Sequence, residues 1–257
     1  MPREWPKARH IYLSPHLDDA ALSCGGMIAQ QARIGERVAI VTVCAGVPSQ
    51  PLPDSPIVRE LHRRWEASVD APAMRREEDL TAAKALGEAV EAVHWDFLDC
   101  IYRAGPDGHP LYPSEESLFG EVQLGDPLVA ALRVIGAPAE GAMVYAPLAI
   151  GGHVDHRAVR RAVESWDIGA GRLAFYEDYP YAGRAGAVEA ATADGGWESR
   201  AVEIDEEALK RKIKAIAAYR SQISSFWADL GAMEAAVRAF AGSRGGERLW
   251  RRMRQAG

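Results

Sequence analysis

Short, uninterrupted apolar runs alternate along the chain with longer stretches of helical periodicity. Ile11-Tyr12-Leu13 predicts a first strand, and a helix is expected from Ala20 to Arg33. Val38 to Cys44 has the unbroken, β-branched character of a strand buried on both faces. Helical spacing resumes at Arg75 and closes at Gly87, a glycine suited to a helix C-terminus. Val93 to Leu98, Met143 to Pro147 and Leu173 to Tyr176 are the next strand candidates, with a further one at Trp197 to Ile204. Helices are expected at Asp126 to Ile135, from His156 to about Trp166, and at Asp205 to Tyr219. The tail from Asp229 to Gln255 is predicted to be helical and basic at its end. Ala45 to Met74 holds five prolines and lacks clear periodicity until the Val58–Ala67 region, as expected of a binding loop or lid.

Strand–helix alternation predicts an α/β fold: a mostly parallel sheet covered by helices on both faces, with strand order 3-2-1-4-5. The whole chain, 1–257, is expected to form one domain in which 170–257 is a small C-terminal extension. In such sheets a ligand sits beyond the carboxyl ends of the strands, where the order reverses, here between the first and fourth strands. At 48% hydrophobic and 26% charged, the 257 residues can bury one sizeable core. A net charge of -6 argues against nucleic acid as partner. No apolar run approaches the roughly 18 residues of a membrane span. Cys24, Cys44 and Cys100 form no CxxC pair, so neither a disulfide framework nor a thiolate zinc site is indicated. A cytoplasmic location is the expectation; a homo-oligomer stays open.

The chemistry concentrates behind the first and fourth strands. Pro15-His16-Leu17-Asp18-Asp19 places an imidazole and two carboxylates within four residues. Packed acids repel unless a cation or a set of donors compensates, although a surface turn with Asp19 capping the next helix would also produce this pattern. His153-Val154-Asp155-His156 adds two imidazoles and a third acid at the second strand end. Together the motifs offer two imidazoles and a carboxylate, the ligand set of a catalytic zinc that leaves one position to water. The same set suits Fe(II).

These segments resemble the PIG-L/LmbE-like de-N-acetylase family. The family's signatures are Pro-His-x-Asp-Asp, matched by Pro15 to Asp19, and His-x-Asp-His, matched by His153 to His156. Arg75 followed by Glu77-Glu78, Asp99 with Tyr102-Arg103, and Tyr219-Arg220-Ser221-Gln222 extend the resemblance over most of the chain. It implies a Rossmann-like fold and a zinc-dependent hydrolase of an N-acetylated amino sugar or glycoconjugate. It further implies His16, Asp19 and His156 as metal ligands, Asp18 as general base, and Arg75 and Asp99 as substrate contacts. His153 would stabilise the tetrahedral intermediate or protonate the leaving amine, with Asp155 orienting and charging it. Two positions depart from the family: Ala20 stands where many relatives have Glu, and Gly151 where some carry a tyrosine that helps hold the oxyanion. A non-haem iron enzyme on the same ligands and a non-catalytic sugar-binding relative are the alternatives.

Isolated His10, His62, His94 and His109 are assigned no chemistry. Glu177-Asp178-Tyr179 ends a strand and is expected to be solvated or capping, with lining of the pocket as the alternative, and Cys44 a small buried hydrophobe. Trp65 and Tyr112 lie in loops that could cover a sugar ring, or pack. The Arg251–Arg254 tail is expected to be a solvated helix end.

Overall fold

A computed structural model describes residues 4–65, 71–169 and 171–253. Ala67, Arg254 and Gln255, on which three of the expectations touch, lie outside the described residues. The parallel strands are β1 (His10–Ser14), β2 (Val38–Thr42), β3 (Val90–His94), β4 (Met143–Pro147) and β5 (Leu173–Tyr176). Two more, β6 (Trp197–Val202) and β7 (Glu247–Arg252), complete a seven-stranded sheet of order β3-β2-β1-β4-β5-β7-β6, in which β7 runs antiparallel to both β5 and β6. The expected order 3-2-1-4-5 is present in its parallel part, and the C-terminal portion extends that same sheet.

Alternation along the strands builds both layers. Ile11 and Leu13 of β1 join Val41 and Val144 on one face, beneath α5 (Pro127–Ile135) and α6 (Val154–Glu164). Tyr12 turns the other way with Ile40, Tyr145 and Tyr176, beneath α1 (Asp19–Arg33), α3 (Ala71–Leu86) and α8 (Glu206–Ile216). Local signals set the helix starts. Asp126 accepts from Leu128 N at 2.9 Å ahead of Pro127, and Asp205 accepts from Ala208 N at 2.9 Å.

Three expectations change. The irregular 45–74 insertion carries α2 (Pro56–Arg64), and α3 begins at Ala71, four residues before Arg75. The third strand ends at His94 rather than running to Leu98; Asp96 instead forms a single bridge with Cys44. The tail is not one helix. After α9 (Arg220–Phe226), α10 (Leu230–Arg244) stops at Gly245 and Gly246, whose φ values of 67° and 117° suit glycine alone, and the chain returns as β7. Arg251 therefore lies on a strand, not a helix end.

The second of those glycines is confined on space as well. A Cβ on Gly246 would lie 2.0 Å from the Val202 carbonyl oxygen, so β6 and β7 meet only across a bare backbone.

Candidate active site

β1 and β4 are direct neighbours, pairing Ile11 with Val144 and Tyr12 with Tyr145, so the loops that follow them open at the same sheet edge. In the first loop the Ser14 hydroxyl donates to His16 O at 2.6 Å and accepts from Ala20 N at 3.0 Å. Ser14 thus satisfies an N-terminal amide of α1 that a capping carboxylate would otherwise take. Asp18 occupies the N-cap position with φ 148°, unusual for a non-glycine residue, and its side chain makes no capping bond. Asp19 accepts from His16 N at 2.8 Å. The simple capping role that the sequence allowed for Asp19 is absent.

His16, Asp19 and His156 converge. His16 Nδ1 lies 3.4 Å and His156 Nε2 3.3 Å from the same oxygen, Asp19 Oδ2. Ligands about 2.0–2.1 Å from a tetrahedral zinc stand roughly 3.3 Å apart, so these separations fit an ion held between them. The remote nitrogen of each histidine faces a buried carboxylate: His16 Nε2 is 2.9 Å from Asp155 Oδ2, and His156 Nδ1 is 2.7 Å from Asp178 Oδ1. Such contacts fix the tautomer that leaves the other nitrogen free for a metal.

His153 is also close enough to His16 and His156 to enter a ligand group. Its Nδ1, however, accepts from Asp155 N at 3.3 Å, which places the ring proton of the neutral form on Nε2. A protonated Nε2 is a donor, not a ligand, and this favours Asp19 as the third ligand.

The electrostatics fit a cation. Burial alone would strip the proton from His16, yet Asp99, Asp155 and Asp19 hold its pKa well above the ordinary range. For His156, Asp19 and Asp178 overcome burial and raise the pKa to about 10. Burial and the Asp19 charge push Asp18 up to about 7, with Arg75 opposing. Burial drives His153 the other way, well below the usual histidine range, and the charge on His16 adds to this.

The expected partnership of Asp155 with His153 is replaced by another. The Asp155 carboxylate bonds His16 Nε2, Cys100 N at 3.1 Å and Arg103 Nη2 at 2.5 Å, and only its backbone N–H reaches His153. Arg103 is buried and also donates to Asp126 Oδ2 at 2.9 Å and Leu98 O at 2.9 Å. Asp178 overturns the expectation of a solvated or capping acid: it is 1% exposed and accepts from Ile150 N at 2.9 Å besides holding His156. Asp178 lies two residues beyond β5, as His16 does beyond β1, and that placement was the available signal.

A cavity of about 510 Å³ opens over these residues. Asp18, Asp99, Arg75 and His153 line its polar floor. Arg75 donates to Leu17 O at 3.3 Å, lies 3.7 Å from Asp18 and stacks over Trp65, while its buried Nε has no hydrogen-bond partner among the described residues. Asp99 accepts from Ile101 N at 3.2 Å and keeps its second oxygen 3.7 Å from His16. Trp65 joins the wall, whereas Tyr112 is fully buried and donates to Asp126 at 2.7 Å, a packing residue. His10, His62, His94 and His109 are absent from the lining, and Cys44 is buried as expected. At Gly151, φ is 88° and a Cβ would lie 2.7 Å from Tyr181 Cγ. The Tyr181 ring thus fills the place a larger residue at 151 would take.

No helix among the described residues is long and apolar enough to cross a membrane. Comparison with known proteins agrees with this architecture. The chain is 33% identical to 2'-N-acetylparomamine deacetylase of Streptomyces fradiae over 184 residues, 71% of this chain and 61% of that protein's length. It is 29% identical to the enzyme of the same name from Niallia circulans over 190 residues, 68% of each. Teicoplanin deacetylase in a zinc-inhibited form superposes with a TM-score of 0.78 at 32% identity, covering 94% of this chain and 97% of that one. Residues 11–166 match the family described as GlcNAc-PI de-N-acetylase, and the chain belongs to this PIG-L family.

Proposed function

We propose that the chain hydrolyses the N-acetyl, or a related N-acyl, amide of an amino sugar or its conjugate, with zinc as the resident metal. The observation that carries this is the meeting of His16, Asp19 and His156 beside a carboxylate, Asp18, that no helix cap engages. The names of the relatives, two 2'-N-acetylparomamine deacetylases and a teicoplanin deacetylase, support the reaction class. A zinc ion held by His16, Asp19 and His156 supplies Lewis acidity and lowers the pKa of a water.

The chain's own residues do the rest. Asp18 takes the proton of the attacking water as the carbon–oxygen bond forms, and returns it to nitrogen as the carbon–nitrogen bond breaks. A carboxylate raised towards neutrality suits both halves of that exchange. His153, neutral with its proton on Nε2, donates a hydrogen bond to the developing oxyanion. The role is the one expected from the sequence, here given to the neutral ring rather than an imidazolium. Asp155 and Asp178 aim His16 and His156. Arg75 and Asp99, both in the cavity lining, bind sugar polar groups.

The test is Asp18→Asn assayed for amine release from N-acetylglucosaminides, with bound metal measured in parallel. Turnover falls by about 10²–10⁴ while metal is retained; unchanged turnover overturns the role of Asp18. Oxygen uptake by iron-loaded protein without amine release would replace the hydrolytic assignment, and saturable sugar binding with no amine release would favour a non-catalytic relative.

A further inference from the structure

The cavity is larger than one hexosamine ring with its acetyl group needs, and its lining carries an apolar group of side chains beside the polar one. Ile57 and Leu61 from α2, Trp65, Phe119 and Phe226 supply apolar lining, with Phe119 edge-on to His153 at 5.5 Å between ring centroids. Such a surface binds an aglycone through burial of its hydrocarbon or aromatic faces.

Charge at the mouth refines this. Almost every charged side chain along the cavity already faces an opposite charge. Arg75 lies 3.7 Å from Asp18, Asp99 lies 3.7 Å from His16, and Glu115 lies 4.0 Å from Arg64. Arg184 is the exception: among the described residues it has no carboxylate partner, and its guanidinium lies over the Tyr181 ring, 5.0 Å from the centroid. Stacking on that ring restricts the side chain, and the guanidinium edge stays available to a planar acid. Tyr181 is itself seated on Gly151 and packs edge-on to Phe119 and His156, which ties Arg184 to the substrate wall.

We propose that Arg184 selects N-acylated amino sugars whose apolar or aromatic aglycone carries a carboxylate, and disfavours polycationic aminosugars. This rests on the hydrolytic function above.

The test compares three N-acetylglucosaminides of matched size, with phenyl, 4-carboxyphenyl and 4-(aminomethyl)phenyl aglycones, on the metal-loaded protein. The carboxyphenyl compound is expected to show a KM about fivefold below that of the phenyl compound, and the aminomethyl compound a higher one, as befits a partly solvated ion pair. In Arg184→Gln the carboxyphenyl-to-phenyl KM ratio moves to about one whatever the absolute rates, and in Arg184→Glu the order inverts. Equal KM values in the unaltered protein, or a ratio that survives Arg184→Gln, overturn the proposal. Calorimetric binding of the same three compounds to the Asp18→Asn protein reads the charge order without hydrolysis. A charge order with no amine release from active-site-intact protein would sink the hydrolase assignment alone, whereas amine release with no charge order sinks the role of Arg184 alone.

Discussion

The Asp178 carboxylate stands 2.7 Å from His156 Nδ1 while also accepting from Ile150 N, so one acid fixes both the ring and the loop that follows β4. His156 in turn presents Nε2 towards Asp19. The setting of the proposed metal ligands thus depends on a residue outside the proposed ligand set.

Replacement by asparagine tests that dependence. Asp178→Asn preserves shape but removes the charge that makes the imidazole a strong ligand, and metal affinity should fall about 10- to 100-fold. Competition with a chelator measures it. Affinity unchanged within twofold would mean that the contact only packs.

Arg103 is predicted to be a stability residue. It neutralises Asp155 and Asp126 in the interior, where both carboxylates are inaccessible to water. Arg103→Leu strands both charges, and loss of one partner of a buried pair costs about 3–5 kcal/mol. Urea denaturation reads this directly. Because Asp155 also aims His16, the variant should bind metal more weakly even where it remains folded.

Gly151 and Tyr181 act as a unit. Gly151→Ala forces a side chain into a left-handed backbone, at roughly 1–2 kcal/mol, and drives its Cβ against the Tyr181 ring. The expected outcome is a modest drop in melting temperature and about a tenfold fall in kcat/KM as Tyr181 is displaced. Gly151→Ala with full activity would show that Tyr181 can move without consequence.

His10 gives a pH prediction remote from the metal. Its ring lies between Glu36, 2.5 Å away, and the Tyr145 hydroxyl, 3.0 Å away. Burial lowers its pKa although Glu36 works against this. Below the ordinary histidine pKa, about 6.5, the unfolded chain therefore takes up a proton that the folded chain resists. His10's contribution is complete above that value and is lost as pH falls below it. His10→Asn should flatten the decline in stability between about pH 7 and 5. If the decline is as steep in the variant, or if the unaltered protein gains stability from His10 on acidification, Glu36 outweighs burial.

Much of this arrangement was legible in the sequence because its signals are local. Met143–Pro147 and Leu173–Tyr176 are strands over the expected residues, since each is a short apolar run between polar or glycine-bearing loops. The His16 and His153 motifs come together because strands one and four are neighbours, a consequence of topology that alternation alone suggests. The partners of those motifs were not legible. Whether Asp155 serves His153 or His16 depends on side-chain direction across 139 residues of chain, which spacing does not encode. Asp178 resembled any acid after a strand until its burial was known. β7 was hidden by helical-looking spacing in Arg248–Arg251, although the glycine pair at 245 and 246 marked the break.

That late strand has a bearing on how the molecule is made. β7 lies between β5 and β6, so β6 has no place in the sheet until the ribosome has released the segment that follows it by some forty positions. Glu247, the first residue of β7, also accepts from Gly26 and Met27 in α1 and pairs with Lys212. The helix that starts at the Pro15–Asp19 loop therefore receives this clamp only after Glu247 has been synthesised, and chains that stop short of it should hold that loop less firmly.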